Sequence, residues 1–153
     1  MESQNEKRDD IKEFLDRILE LFDIQATIDV AEEPSLVTVN IEGEDLSILI
    51  GSRGRTLNAL QQIVNVYANK GRDEWLKVIV DAQGYRERRR QTLEEYAKKM
   101  ADQAASEKRT VPLEPMNSFE RRIVHCSLLE RQDIRTESQG EEPERYIVII
   151  PEG

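Results

Sequence analysis

The 153-residue sequence contains a single cysteine, Cys126, and a single histidine, His125. One thiol excludes an internal disulfide and a cysteine metal cluster, and a reducing compartment is its simplest setting. One histidine excludes a histidine-rich metal set. No Gly-x-x-x-x-Gly-Lys phosphate loop occurs, and Cys126, read as facing the core, has no identifiable base beside it. An enzyme is therefore the least supported class. No apolar run approaches the roughly 20 residues that cross a bilayer, and Met1 to Asp10 is polar and charged, unlike a secretory leader. Aromatics are scarce at 5%, while 35% of residues are charged. That composition suits one ordinary domain or two small ones with a well-solvated surface. These absences predict a cytoplasmic, non-catalytic protein without metal or cofactor.

What charge there is lies unevenly along the chain. The net charge is −9, with 14 acids and 4 bases in residues 1–47, 12 acids and 17 bases in 48–135, and 5 acids and 1 base in 136–153. Exposed charges act over a Debye length of roughly 8–10 Å. The basic middle can thus hold an anion, while the acidic ends weaken non-specific attraction.

The middle is organised around Leu46-Ser-Ile-Leu-Ile-Gly-Ser-Arg-Gly-Arg-Thr-Leu57. Leu46, Leu49 and Ile50 sit at i, i+3, i+4 and predict a short helix. Gly51 is expected to end it as a left-handed cap. From Leu57, the set Leu57, Leu60, Val64, Tyr67 and Ala68 follows the period of a second helix. Gly51 and Gly54 allow a tight turn and close backbone approach to a ligand. The loop feeds a helix N-terminus, where unpaired N–H groups favour an anion, and Arg53 and Arg55 add cationic donors. The pattern by itself also describes a plain turn with solvated arginines. Apolar residues on both flanks, and the lack of any acid between Ser47 and Asp73, favour the anion site.

Ile50-Gly-Ser-Arg-Gly-Arg-Thr-Leu57, following two strands and a short helix, resembles the Gly-x-x-Gly signature of a KH domain. The resemblance implies a loop that clamps the backbone of about four nucleotides of single-stranded RNA.

Elsewhere, residues 1–8 read as a polar tail. Ile11, Phe14, Leu15, Ile18, Leu19 and Phe22 predict a helix from about Asp9 to Phe22, whose acidic side is either a solvated face or a partner site. Alternation predicts strands at Ala26–Ala31 and Leu36–Ile41, joined through Glu32-Glu-Pro-Ser35, and a third at Trp75–Val80 reached by a crossover that allows parallel pairing. Helix–strand–strand–helix–helix–strand is the type II KH order. Residues 84–107 predict a long helix that links two small domains. Its first part carries Arg86, Arg88, Arg89 and Arg90, either snorkelling arginines or a phosphate-facing stripe. Its second part uses Leu93, Tyr96, Met100 and Ala104. Two prolines make Thr110–Pro115 extended. Asn117 and Glu120 start a helix, Ser118–Leu129. Arg121 and His125 are expected to look outward from it, with Phe119, Ile123 and Cys126 on the core side. Strands near Ile134–Glu137 and Arg145–Ile150 suit a hairpin.

Pro115-Met-Asn-Ser-Phe-Glu-Arg-Arg-Ile-Val-His125, with Thr136 to Pro151, resembles the R-three-H domain, a single-stranded nucleic-acid-binding fold. A KH domain joined to it resembles the bacterial Jag/KhpB family of cytoplasmic RNA-binding proteins, over about residues 9–151. The resemblance implies an α+β chain, with a type II KH domain at 1–82 joined by a long helix to a small α/β R-three-H domain at 83–153. It implies Gly51, Ser52, Arg53 and Gly54 as RNA contacts, with Arg121 and His125 in the second domain. Arg55, Asn58, Arg86 and Arg89 complete the expected RNA-binding set. Implied too are a non-catalytic role in post-transcriptional regulation or RNA chaperoning, a link to cell elongation, division, shape and wall biogenesis, and a small separate KH protein as partner. Single-stranded DNA is a second expected ligand, with the chain a monomer or dimer and no membrane involved. Many members carry an additional N-terminal Jag domain, which this chain is expected to lack, since it begins almost at the first KH helix. The competing expectation is a protein-interaction adaptor using the acidic helix and strand edges, with RNA binding secondary. Gly54→Asp is expected to weaken RNA binding and leave the fold intact.

Overall fold

A computed structural model describes residues 2–153, with side chains from residue 6 onward. The chain divides into two compact units, Met1–Arg86 and Glu87–Gly153.

The first unit opens with α1, Glu2–Leu21, which buries Ile11, Leu15 and Leu19 on one line. The helix takes in most of the segment expected to be a polar tail. Residues 2–8 contain no glycine or proline and are mostly good helix formers, so they extend the helix without any apolar period to announce it. Phe22 falls beyond its end and is exposed. Strands β1, Thr27–Glu33, and β2, Leu36–Glu42, pair antiparallel from Thr27↔Glu42 to Glu33↔Leu36, leaving Pro34-Ser35 as the turn. Their alternation buries Ile28, Val30, Val37, Val39 and Ile41. Helix α2, Ser47–Ile50, then leads through the glycine loop to α3, Arg55–Asn69. Helix α3 buries Leu57, Leu60, Val64 and Ala68, while Tyr67 leaves the core and stacks on Phe14 with ring centroids 4.1 Å apart. Strand β3, Lys77–Ala82, pairs parallel with β2, as the crossover allows. It starts two residues later than the sequence suggests, and Trp75 lies outside it, exposed. The order α-β-β-α-α-β is that of a type II KH fold.

In the sheet order β1-β2-β3, β3 is an edge. Its backbone is met by side-chain amides one helical turn apart on α3. Asn69 accepts from Leu76 N–H (2.6 Å) and donates to its carbonyl (2.7 Å). Asn65 does the same for Val78, at 2.8 and 2.7 Å. Gln61 Oε1 accepts from Val80 N–H at 2.9 Å, and Arg86 Nε donates to Val80 O at 2.9 Å. The spacing works because a helix rises about 5.4 Å per turn and two strand residues about 6.6 Å.

The second unit is built on α4, Tyr85–Glu107, whose opening residues belong to the first. Its core line is Leu93, Ala97, Ala101 and Ala104. Tyr96 and Met100, expected on that line, are only partly buried beside it. Strands β4 (Val111–Pro112), β5 (Ile134–Gln139) and β6 (Tyr146–Pro151) form an antiparallel sheet in the order β4-β6-β5. Between β4 and β5 lies α5, Ser118–Ser127, capped by Asn117, whose side chain accepts from Glu120 N–H at 2.9 Å.

Helix α5 is rotated relative to the sequence expectation. Val124 is its core residue, with Leu128 buried at its C-cap, Phe119 and Cys126 are exposed, and Arg121 is buried rather than outward-facing. Both faces of this helix carry apolar residues, and partners for two charged side chains decide between them. Glu120 and Arg121 turn inward with Val124 because each finds an ion partner there.

Candidate nucleic-acid interface

Gly51 closes α2 by donating its N–H to Ser47 O at 2.9 Å. Its φ of 72° and ψ of −175° put it outside the left-handed helical region expected of a cap, in a region essentially reserved for glycine. A Cβ there would collide with Thr56 Oγ1. Ser52–Gly54 form one 3₁₀ turn in which Arg53 is left-handed (φ 56°, ψ 28°). Gly54 follows, left-handed at φ 75°, ψ 14°, as the N-cap of α3. A Cβ on Gly54 would lie 2.6 Å from Tyr85 Cε1. Both glycines are thus required for backbone and for space. Gly54→Asp therefore disturbs the loop itself, contrary to the expectation of an intact fold.

The geometry leaves donors open. A glycine N-cap offers no side-chain acceptor, and the first turn of α3 carries no acid. The leading N–H groups of a helix lack partners within it, and the positive end of the helix dipole adds to their pull on an anion. Ser52, Arg53 and Arg55 are exposed around them. Asp45, just upstream, is engaged elsewhere. Its carboxylate accepts from Ser47 Oγ at 2.7 Å and Ser47 N–H at 3.1 Å, bonds that hold its pKa below the ordinary carboxylate value.

Asn58 lies one turn further along α3, half-buried, with Oδ1 accepting from Arg86 Nη1 at 2.8 Å. Arg86 also donates from Nη2 to Gln61 Oε1 at 3.0 Å. Burial, the largest influence, lowers its pKa against the opposing pull of Asp81 and Tyr85, yet a guanidinium keeps its charge. Arg89 pairs with the buried Glu120 at 2.9 Å, and Arg90 with Glu87 and Glu94. Successive side chains leave a helix about 100° apart. Arg86, Arg89 and Arg90, at i, i+3, i+4, therefore share a face while Arg88 points away, but these three guanidiniums hold protein groups and do not form an open phosphate-facing stripe.

In the second unit, Arg121 donates to Met116 O at 2.7 Å and to Glu142 Oε1 at 2.6 Å. It ties α5 to the loop before β6 instead of reaching solvent. His125 is exposed, with Nδ1 2.6 Å from Thr136 Oγ1 on β5. Arg121 and His125 therefore part company, one inward and one outward. Sequence reasoning missed a further exposed surface, formed by Ile63, Val66 and Tyr67 of α3 with Trp75. The signal was present, since Ile63 and Val66 fall outside the Leu57–Leu60–Val64 line.

Fold and site together define a KH domain followed by an R-three-H domain. The two matching family models are "KhpA/KhpB, KH domain" over residues 8–81 and the R-three-H domain over residues 91–151. Relatives named "RNA-binding protein KhpB" occur in Clostridium symbiosum (42% identical over 90% of this chain and 63% of the relative) and Bacillus subtilis strain 168 (38%, over 94% and 72%). Another, from Lactiplantibacillus plantarum, is 34% identical over 90% of this chain and 42% of the relative. The chain belongs to the KhpB family. It spans somewhat under two thirds of the Clostridium relative's length. Neither matched model describes an enzyme. Among the described residues, no helix is long and apolar enough to cross a membrane.

Proposed function

We propose that this chain is a non-catalytic binder of single-stranded RNA in the cytoplasm. The observation that carries the reading is the Gly51–Gly54 loop, with glycine-only backbone geometry, exposed cationic neighbours and an uncapped helix N-terminus behind it. Main-chain amides and arginines grip phosphates, which gives affinity with little dependence on sequence. Gly51, Ser52, Arg53, Gly54 and Arg55 form the backbone grip. His125 contributes in the second unit by stacking or hydrogen bonding, while Arg121 acts indirectly by fixing α5. Single-stranded DNA has the same phosphates and is an expected weaker ligand. The relatives' printed name supports RNA as the natural one. The cellular role is post-transcriptional, as regulator or RNA chaperone, with consequences for cell elongation and division. Crosslinking to cellular RNA with peptide-level mapping tests this. Contacts should fall on the peptide holding Gly51–Arg55, and a crosslinked chain with that peptide unmodified would overturn it.

The adaptor reading draws support from one observation, the exposed apolar surface of Ile63, Val66, Tyr67 and Trp75. It suits a protein partner such as the small KH protein of the family. A pull-down that survives nuclease, from a chain that binds no purified RNA, would select it.

A further inference from the structure

One face of α3 carries, at helical intervals after Gly54, the amides Asn58, Gln61, Asn65 and Asn69. The last two are saturated. Each uses both amide hydrogens and its oxygen on backbone groups, Asn65 on Gln61 O and Val78, and Asn69 on Asn65 O and Leu76. The two nearest the glycine loop differ. Arg86 has only donors, so it forces the oxygens of Asn58 and Gln61 toward itself, and Val80 N–H holds Gln61 Oε1 the same way. The amide orientation is therefore fixed by chemistry, which an isolated amide would leave open. Among the described residues, Asn58 Nδ2 and Gln61 Nε2 have no protein partner. Val80 O is itself taken by Arg86 Nε. Each amide oxygen of this half-buried pair already accepts from Arg86, and both N–H₂ groups remain open; the nearby Asp81 carboxylate accepts from the backbone N–H groups of Ala82 and Arg86 through Oδ1.

We infer that the open N–H₂ groups of Asn58 and Gln61, oriented by Arg86, form a donor-rich recess that receives the acceptor edge of a nucleobase, with guanine preferred, beside the strand held at the glycine loop. Guanine offers N7 and O6 on one edge with no donor between them, whereas adenine sets its N6 amino group next to N7. An amino group brought against amide N–H groups leaves both unpaired in a partly dry site, which discriminates more sharply than a missing contact. Cytosine has two neighbouring acceptors but carries its N4 amino group alongside, and uracil separates its carbonyls with N3–H. The inference rests on reading the glycine loop as an RNA-backbone site.

The test measures binding of the full chain to short uridine oligomers carrying one central guanosine, adenosine or 7-deazaguanosine, at fixed salt. Guanosine should bind at least about five-fold tighter than adenosine, and 7-deazaguanosine, which lacks the N7 acceptor, should lose most of that margin. Asn58→Asp and Gln61→Glu keep the oxygens facing Arg86 and replace the open N–H₂ groups with acceptors. Each should flatten the guanosine-to-adenosine ratio, a readout separate from any general loss caused by the added charge. The 7-deaza comparison needs only the wild-type chain, so it decides the matter even if a variant misfolds. Equal affinities for guanosine and adenosine with ordinary salt-dependent binding would refute the recess and leave the backbone grip standing. No binding to any oligomer by folded protein would remove both.

Discussion

Replacing Gly54 with alanine separates two costs that the loop geometry imposes. The left-handed backbone at φ 75° costs a residue with a Cβ about 1–2 kcal/mol. The new methyl would lie 2.6 Å from Tyr85 Cε1, and forcing a carbon into a filled site costs about 1–3 kcal/mol. Lower entropy of the unfolded chain returns about 0.4–1 kcal/mol. The net expectation is about 1–4.5 kcal/mol of destabilisation, a substantial share of the 5–15 kcal/mol typical of a whole domain. Tyr85→Leu removes the colliding ring atom, so Gly54→Ala should cost about 1–3 kcal/mol less in that background. The assay is a urea titration followed by the fluorescence of Trp75, the only tryptophan and part of the same unit. An unchanged midpoint for Gly54→Ala, or strictly additive effects of the two substitutions, would refute the packing account of this glycine.

Three further outcomes are expected. Arg55→Ala should reduce the slope of log affinity against log salt by about 0.7 for a phosphate contact on a single strand; an unchanged slope in titrations at several ionic strengths removes Arg55 from the interface. Arg121→Lys should fail to restore wild-type stability, because one ammonium cannot replace the planar fork that reaches both Met116 O and Glu142. A loss of about 1–3 kcal/mol in chemical denaturation is expected, and wild-type stability for the lysine variant would contradict it. Hydrogen bonding from Arg131 draws the Asp133 pKa below its usual 3.8, so the stabilisation is complete above that value and vanishes as pH falls through the lower folded one. Asp133→Asn should therefore melt earlier than wild type at neutral pH and match it in strong acid, and a difference persisting in acid would show another origin.

The period of Leu57, Leu60 and Val64 and the alternation of the three strands in the first unit were legible in the sequence, because burial imposes a repeat. So was the cap of α5, since Asn117 and Glu120 act over three residues. The rotation of α5 was hidden because its inward face depends on Glu142 and Arg89, 21 and 31 residues distant from their partners. The arginines of α4 read as a phosphate-facing stripe because the partners that occupy Arg86 and Arg89, Asn58 and Glu120, lie 28 and 31 residues away. Among the loop residues, both glycines could be marked from the motif. Their reasons, a Thr56 hydroxyl and a Tyr85 ring, required the fold. Beyond Asn58, the amides of α3 gave no sign, since Gln61, Asn65 and Asn69 look like ordinary polar surface until β3 is set beside them.

Those amides also bear on how the molecule behaves when crowded. A strand with unsatisfied outer groups templates the addition of a neighbour, the first step toward a fibril or a swapped dimer. Along β3 that template has been erased by side chains of the same unit, backbone group by backbone group. Growth of the sheet is left to β1, where Asp29, Glu32 and Glu33 would bring like charges close to those of a second copy. One border is sealed by hydrogen bonds and the other guarded by charge.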